Sequence, residues 1–99
     1  METKKRITFV VNPISGTHGK EFIIRLIEKE LNHSIYDYSI RKTEYAGHAS
    51  EIAAQAAAEH TDIVVAIGGD GTINEIGRAL IHTNTAMGII PCGSGNGLA

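Results

Sequence analysis

A three-layer α/β/α fold around a parallel sheet, in the order βαβαβαβ, is predicted by three features of this sequence. Short apolar runs stop abruptly at Asn-Pro, Gly-Gly or Pro, segments of helical period separate them, and glycine-rich turns follow three of the runs. The first run, Ile7-Thr8-Phe9-Val10-Val11, ends at Asn12-Pro13 and reads as a strand buried on both faces. Ile23, Leu26, Ile27 and Leu31 then recur at helical spacing. Residues 35–40 differ, because Tyr36, Tyr38 and Ile40 alternate with Ile35, Asp37 and Ser39, the pattern of an edge strand with one wet face. A second helix follows from Ala49, Ile52, Ala53 and Ala56; its alanines (53, 56, 57, 58) would allow close approach to the sheet, but helix propensity is the favoured explanation. Residues 63–67 are a third strand, stopped by Gly68-Gly69, and 86–90 a fourth, stopped by Pro91 and read as buried like the first. Between them Ile73, Ile76, Gly77 and Leu80 mark a third helix, with Thr72 expected as its N-cap and Glu75 completing a capping box. Strands alternating with crossover helices imply a parallel, Rossmann-like sheet, and the polar edge strand suggests the order 2-1-3-4. After the fourth strand the pattern calls for another helix, so the domain is expected to be incomplete at its C-terminus, with one face of that strand uncovered and prone to self-association.

Size and charge narrow the function classes. A chain of 99 residues with 42% hydrophobic and 20% charged side chains supports one core, and a second domain cannot be contained in it. Nine basic and 11 acidic residues give a net charge of -2 without a basic block, which argues against nucleic acid as a partner. The single cysteine, Cys92, excludes a disulfide framework and fits a reducing cytoplasm, and none of the five histidines stands at a zinc-motif spacing. Apolar runs of about five residues are far below the roughly 20 that span a bilayer.

Eight of the 11 glycines fall in three clusters, at positions 16 and 19, at 68, 69 and 71, and at 93, 95 and 97, each after an expected strand. In a parallel sheet those turns share one edge, the edge where such folds bind ligands. Glycine lets backbone N–H groups approach closely and a following helix start favours negative charge, so phosphate is the expected guest. Neither a P-loop nor a complete Gly-x-Gly-x-x-Gly is present. Asp70, between two glycines at the top of a buried strand, could cap a helix. In a phosphate crevice, however, a carboxylate is better explained by holding Mg²⁺ or by taking a proton from an attacking hydroxyl, and we read it as catalytic. Asn12 could bond a nucleotide or close an Asx turn before Pro13. Lys20 reads as a solvated charge within reach of a phosphate, and His48 as structural.

Four segments then carry a family resemblance: Asn12-Pro13-Ile14-Ser15-Gly16, Thr43 to Ala49 (Thr-Glu-Tyr-Ala-Gly-His-Ala), Gly68-Gly69-Asp70-Gly71-Thr72 with Asn74-Glu75, and Pro91-Cys92-Gly93-Ser94-Gly95-Asn96. In order and spacing they resemble the diacylglycerol kinase catalytic domain family, which includes sphingosine, ceramide and bacterial lipid kinases. The resemblance implies transfer of the γ-phosphate of Mg-ATP to a lipid hydroxyl, diacylglycerol or sphingoid-type, in lipid metabolism and phospholipid biosynthesis. It implies that residues 1–99 are the N-terminal nucleotide-binding part, that a β-sandwich second domain lies outside this chain, and that the 99-residue piece alone is inactive. By motif match Asn12, Ser15 and Gly16 would line the ATP site, with Thr43 reaching it from the second strand. Gly68, Gly69, Gly71 and Thr72 would hold the phosphates, and Glu75, Gly93, Ser94 and Asn96 would complete the wall. Asp70 matches an aspartate that serves as general base or within the metal and phosphate network, and both roles stay open. No metal ligand is named within this chain. Gly93-Ser94-Gly95-Asn96-Gly97 departs from the Gly-Thr-x-Asn-Asp of many bacterial members and is closer to the sphingosine and ceramide kinase version, which leaves the acceptor lipid open. A cytoplasmic enzyme touching the membrane peripherally, able to form homo-oligomers, is the expectation. Two alternatives are an NAD kinase-like small-molecule kinase and a non-catalytic nucleotide-binding or partner-binding module.

Overall fold

Seven elements alternate along the chain: β1 (Lys5–Val11), α1 (Gly19–Glu30), β2 (Tyr36–Lys42), α2 (His48–Ala58), β3 (Ile63–Gly68), α3 (Asp70–Leu80) and β4 (Ala86–Pro91). The structure is a computed structural model that describes residues 4–13 and 19–91. The four strands are all parallel in the order β2-β1-β3-β4, as the sequence predicts.

That order decides where the helices go. From β1 the chain steps outward to β2, then crosses back over β1 to β3 and on to β4. Right-handed crossovers therefore put α1 on one face and α2 with α3 on the other. Two cores result. Val10, Val64 and Ala66 pack with Ala49, Ile52, Ala53, Ala56, Ile76 and Leu80 under α2 and α3. On the opposite face Ile7, Phe9, Val11 and Ile67 pack with Ile23 and Ile27 of α1 and with Leu31 just after it. Tyr38 of β2 meets Phe9 edge to face there, with ring centroids 6.0 Å apart.

Four local expectations change. The first strand begins two residues early, at Lys5, and the second ends at Lys42, because Lys5↔Tyr36 through Val11↔Lys42 form one continuous ladder. Backbone pairing extends past the apolar pattern on which the sequence reading depends. The alanines of α2 do more than favour helix: Ala53 is fully buried and Ala56 nearly so, letting α2 lie close on the sheet, while Ala58 is exposed. The fourth strand, read both as buried like the first and as uncovered on one face, is not buried on both, since Ile89 is 52% exposed at the sheet edge. Finally, α3 starts at Asp70 with Gly69 as N-cap and no side-chain cap bond, so the Thr72–Glu75 capping box does not form.

The helix ends at the other edge of the sheet are closed by non-glycine residues in the left-handed region, His60 at φ 64° and His82 at φ 67°. Arg6 ties this edge together: its guanidinium donates to the Glu59 carbonyl at 2.7 Å, and its backbone N–H donates to Asp62 Oδ2 at 2.8 Å. A cation on the last carbonyls of α2 is placed where the helix dipole favours it.

Candidate functional site

The topology reverses direction between β1 and β3, and their C-terminal ends open a crevice there. Backbone bonds hold its rim: Asn12 N–H donates to the Ile67 carbonyl at 3.3 Å, and Thr43 N–H to the Val11 carbonyl at 2.9 Å. A cavity of about 310 Å³ lies above, lined by Asn12, Thr43, Tyr45, Ala46, Ala49, Gly71, Thr72 and Glu75. Five of the expected site residues (12, 43, 71, 72 and 75) thus meet in one place although they come from three different strand ends.

Each arrives for a local reason. Gly68 lets the chain fold tightly from β3 into α3: a Cβ there would stand 3.1 Å from Thr72 Oγ1 and 3.2 Å from Thr72 Cβ. Thr72 is pressed against the strand end, buried, and its hydroxyl accepts from Asn12 Nδ2 at 3.4 Å. Thr72 is not an N-cap because it lies inside the first turn of a helix that starts at Asp70. Gly69 and Gly71 are different, because a Cβ on either would meet nothing within 4 Å. Nothing in the described chain requires glycine at those two positions. The N–H groups of the first turn have no carbonyl behind them and no capping side chain, so they form an open row of donors beside the cavity. Asp70 stands in this turn, exposed, and does not line the cavity itself. Glu75, half-buried, does.

The opposite wall is the β2–α2 turn. Gly47 takes φ +89°, the only described glycine in the left-handed region, and serves as N-cap of α2. The ring of His48 reaches back so that its Nδ1 accepts the Glu44 backbone N–H at 2.9 Å, and it stacks on Tyr45 with centroids 4.3 Å apart and planes 12° from parallel. Tyr45 donates its phenol to Glu51 Oε1 at 2.6 Å. That hydrogen bond, with a smaller contribution from burial and from the charges of Glu51 and Glu44, raises the phenol pKa above its ordinary value. His48 is structural, as its sequence position suggests. Tyr45, Ala46 and Ala49 were not singled out as site residues by sequence reasoning; the signal was available, since all three fall within the Thr43-to-Ala49 segment.

Ser15, Gly16, Gly93, Ser94 and Asn96 lie outside the described residues, as do Cys92, the side chain of Lys20 and the stretch after the fourth strand. Among the described residues no group of three or more His, Cys, Asp or Glu is placed to hold a metal ion. None of the helices among the described residues is long and apolar enough to cross a membrane. Other recesses lie elsewhere among the described residues. One of about 610 Å³ includes His60 and His82, at the C-terminal ends of α2 and α3, where the helix dipoles disfavour anions. Another, about 220 Å³, lies between β2 and α2 and is lined by Arg6, Arg41, Asp37 and Glu59, of which Arg6 and Glu59 approach to 3.8 Å.

Comparison with known proteins gives a consistent result. The diacylglycerol kinase catalytic domain profile matches residues 6–99. A diacylglycerol kinase of Bacillus subtilis (strain 168) is 36% identical over 98 residues, covering 96% of this chain and 32% of the relative. One from Staphylococcus saprophyticus is 35% identical, covering 94% of this chain and 31% of the relative. This chain therefore spans about a third of the length of these curated relatives. Among solved structures, a candidate diacylglycerol kinase from Bacillus anthracis (strain Sterne) superposes with a TM-score of 0.78 at 26% identity, over 95% of this chain and 35% of the other. The profile match over nearly the whole chain, joined to the meeting of the motif residues at one sheet edge, places it: the chain belongs to the diacylglycerol kinase catalytic domain family.

Proposed function

We propose that this chain is the nucleotide-binding part of an ATP-dependent lipid kinase, completed by a second domain. One observation carries the reading beyond family membership: Asn12, Thr43, Gly71, Thr72 and Glu75 converge on a single cavity beside the uncapped start of α3. Gly69 and Gly71 have room for a Cβ, so their being glycine is best explained by what approaches from outside. Phosphate oxygens suit that position, because the open N–H groups and the helix start both favour negative charge.

Mg²⁺ fits the donor set in the way it usually meets nucleotides, through one or two carboxylates together with the phosphates, and Asp70 and Glu75 are the carboxylates at hand. When bound, the ion would neutralise charge on the transferred phosphoryl group. Asp70, exposed at the helix start, is our catalytic residue. It takes the proton of the acceptor hydroxyl as that oxygen attacks the γ-phosphorus and the bond to the β,γ-bridging oxygen breaks, ADP leaving, or it anchors the metal and phosphate network. Ser15, Gly16, Gly68, Gly69, Gly93, Ser94 and Asn96 belong to the proposed ATP wall by motif match. The acceptor is a lipid hydroxyl, diacylglycerol or sphingoid-type, reached by peripheral contact with a membrane from the cytoplasmic side.

The test is transfer of labelled γ-phosphate from Mg-ATP to diacylglycerol, sphingoid base, ceramide and NAD, using the full reading frame and its Asp70→Ala variant. Lipid labelling that falls by about 10²-fold or more in Asp70→Ala is expected. Labelling of NAD alone would contradict the lipid kinase reading, and nucleotide binding without any transfer would favour a sensing module.

A further inference from the structure

The β2–α2 turn holds an aromatic ring at the mouth of the cavity that motif matching leaves without a role. Tyr45 is 53% exposed, yet its ring is fixed at two points: His48 stacks on one face and Glu51 accepts the phenol proton. No other ring among the described residues stacks on it. His48 is itself fixed, since its Nδ1 is engaged by the Glu44 N–H. An exposed tyrosine seldom needs such support, and a rigid, half-covered ring lining a cavity is the geometry of a stacking surface. A second observation points to a ligand at the same spot. Thr43 is only 7% exposed and lines the cavity, and its hydroxyl has no hydrogen-bond partner among the described residues. A buried hydroxyl left unpaired costs free energy unless something entering the cavity bonds to it.

We propose that Tyr45 is the nucleobase platform of this site: a purine stacks on the ring face opposite His48, with the Thr43 hydroxyl as its polar contact and with His48 and Glu51 as positioning residues. This rests on the reading of the cavity as a nucleotide site and adds the element that tells a nucleotide from a bare phosphate. The open N–H groups of α3 lie across the cavity from Tyr45, so base and phosphates bind opposite walls.

The experiment compares ATP with tripolyphosphate, which carries the phosphates without the base, on the full chain by calorimetry and by tyrosine emission. These 99 residues hold three tyrosines and no tryptophan, and single substitutions tell which of them an emission change depends on. Tyr45→Ala is expected to weaken ATP about tenfold and to leave tripolyphosphate unchanged, since stacking on an aromatic side chain carries an effect of about that size. Tyr45→Phe, which keeps the ring, is expected to lose less than about threefold, by the same stacking argument. ATP should quench emission in Tyr36→Phe and Tyr38→Phe but not in Tyr45→Phe. ATP affinity unchanged in Tyr45→Ala, with quenching retained in Tyr45→Phe, would overturn the platform and leave the nucleotide site standing. Equal losses for ATP and tripolyphosphate would also overturn it, as collapse of the turn. Failure of the unsubstituted chain to bind either compound would overturn the nucleotide reading itself.

Discussion

The two strand-to-helix turns that face each other across the cavity are built by opposite means. From β3 to α3 the chain turns on Gly68 and Gly69, leaves the first helical N–H groups uncapped and presents Asp70 to solvent. From β2 to α2 it turns on one left-handed glycine, Gly47, and is then tied down by the His48, Tyr45 and Glu51 contacts. The first turn exposes backbone dipoles and keeps side chains away. The second also starts its helix without a side-chain cap, but it ties the Glu44 N–H to the His48 ring and offers an aromatic wall. The proposed nucleotide would use both surfaces, its phosphates at the first turn and its base at the second.

Glycine substitutions break the comparison most sharply. Gly68→Ala pushes a methyl group against buried Thr72 and is expected to cost roughly 1–3 kcal/mol, read as a lowered denaturant midpoint. Gly71→Ala, with open space around it in the first turn of α3, is expected to hold or raise stability by up to about 1 kcal/mol while weakening ATP. Equal stability losses at both positions would mean that the two glycines serve one packing role, and the distinction between a tight turn and an open cradle would fail.

A smaller effect sharpens the other wall. Because the Tyr45 pKa is raised in the folded chain, first by the Glu51 hydrogen bond, its contribution to stability is present below the ordinary tyrosine pKa of about 10 and is lost as pH rises through the folded value. Glu51→Ala should therefore move the Tyr45 ring titration, followed by NMR, back down toward the ordinary value. A titration that does not move would show that Glu51 does not anchor the ring.

How far the sequence foretold these two turns differs for a physical reason. The strand order, the edge strand and the meeting of the first three strand ends at one edge were all legible, because period and polarity encode which faces are buried and parallel topology then fixes where strand ends go. The cavity lining at Asn12, Thr43, Gly71, Thr72 and Glu75 was legible as residue types at strand ends. Capping was not: Thr72 through Glu75 has the letters of a capping box, but the helix start lies three residues earlier, with Gly69 as N-cap, and the Thr72 hydroxyl meets Asn12 instead. Such a contact joins residues 60 positions apart and leaves no local trace. The Tyr45 platform was hidden similarly, since a ring's open face depends on rotamers and not on spacing. Burial of Ala53 likewise depends on α2 crossing over β1, which composition cannot distinguish from plain helix propensity.

The most direct test of the central claim, that nucleotide is held between these two turns, is the change in backbone amide NMR signals of the full chain on adding Mg-ATP. The largest shifts are predicted at Asp70, Gly71 and Thr72 and at Thr43 and Tyr45. Shifts concentrated instead around His60 and His82 at the far edge of the sheet, or spread evenly with no maximum at either turn, would contradict it.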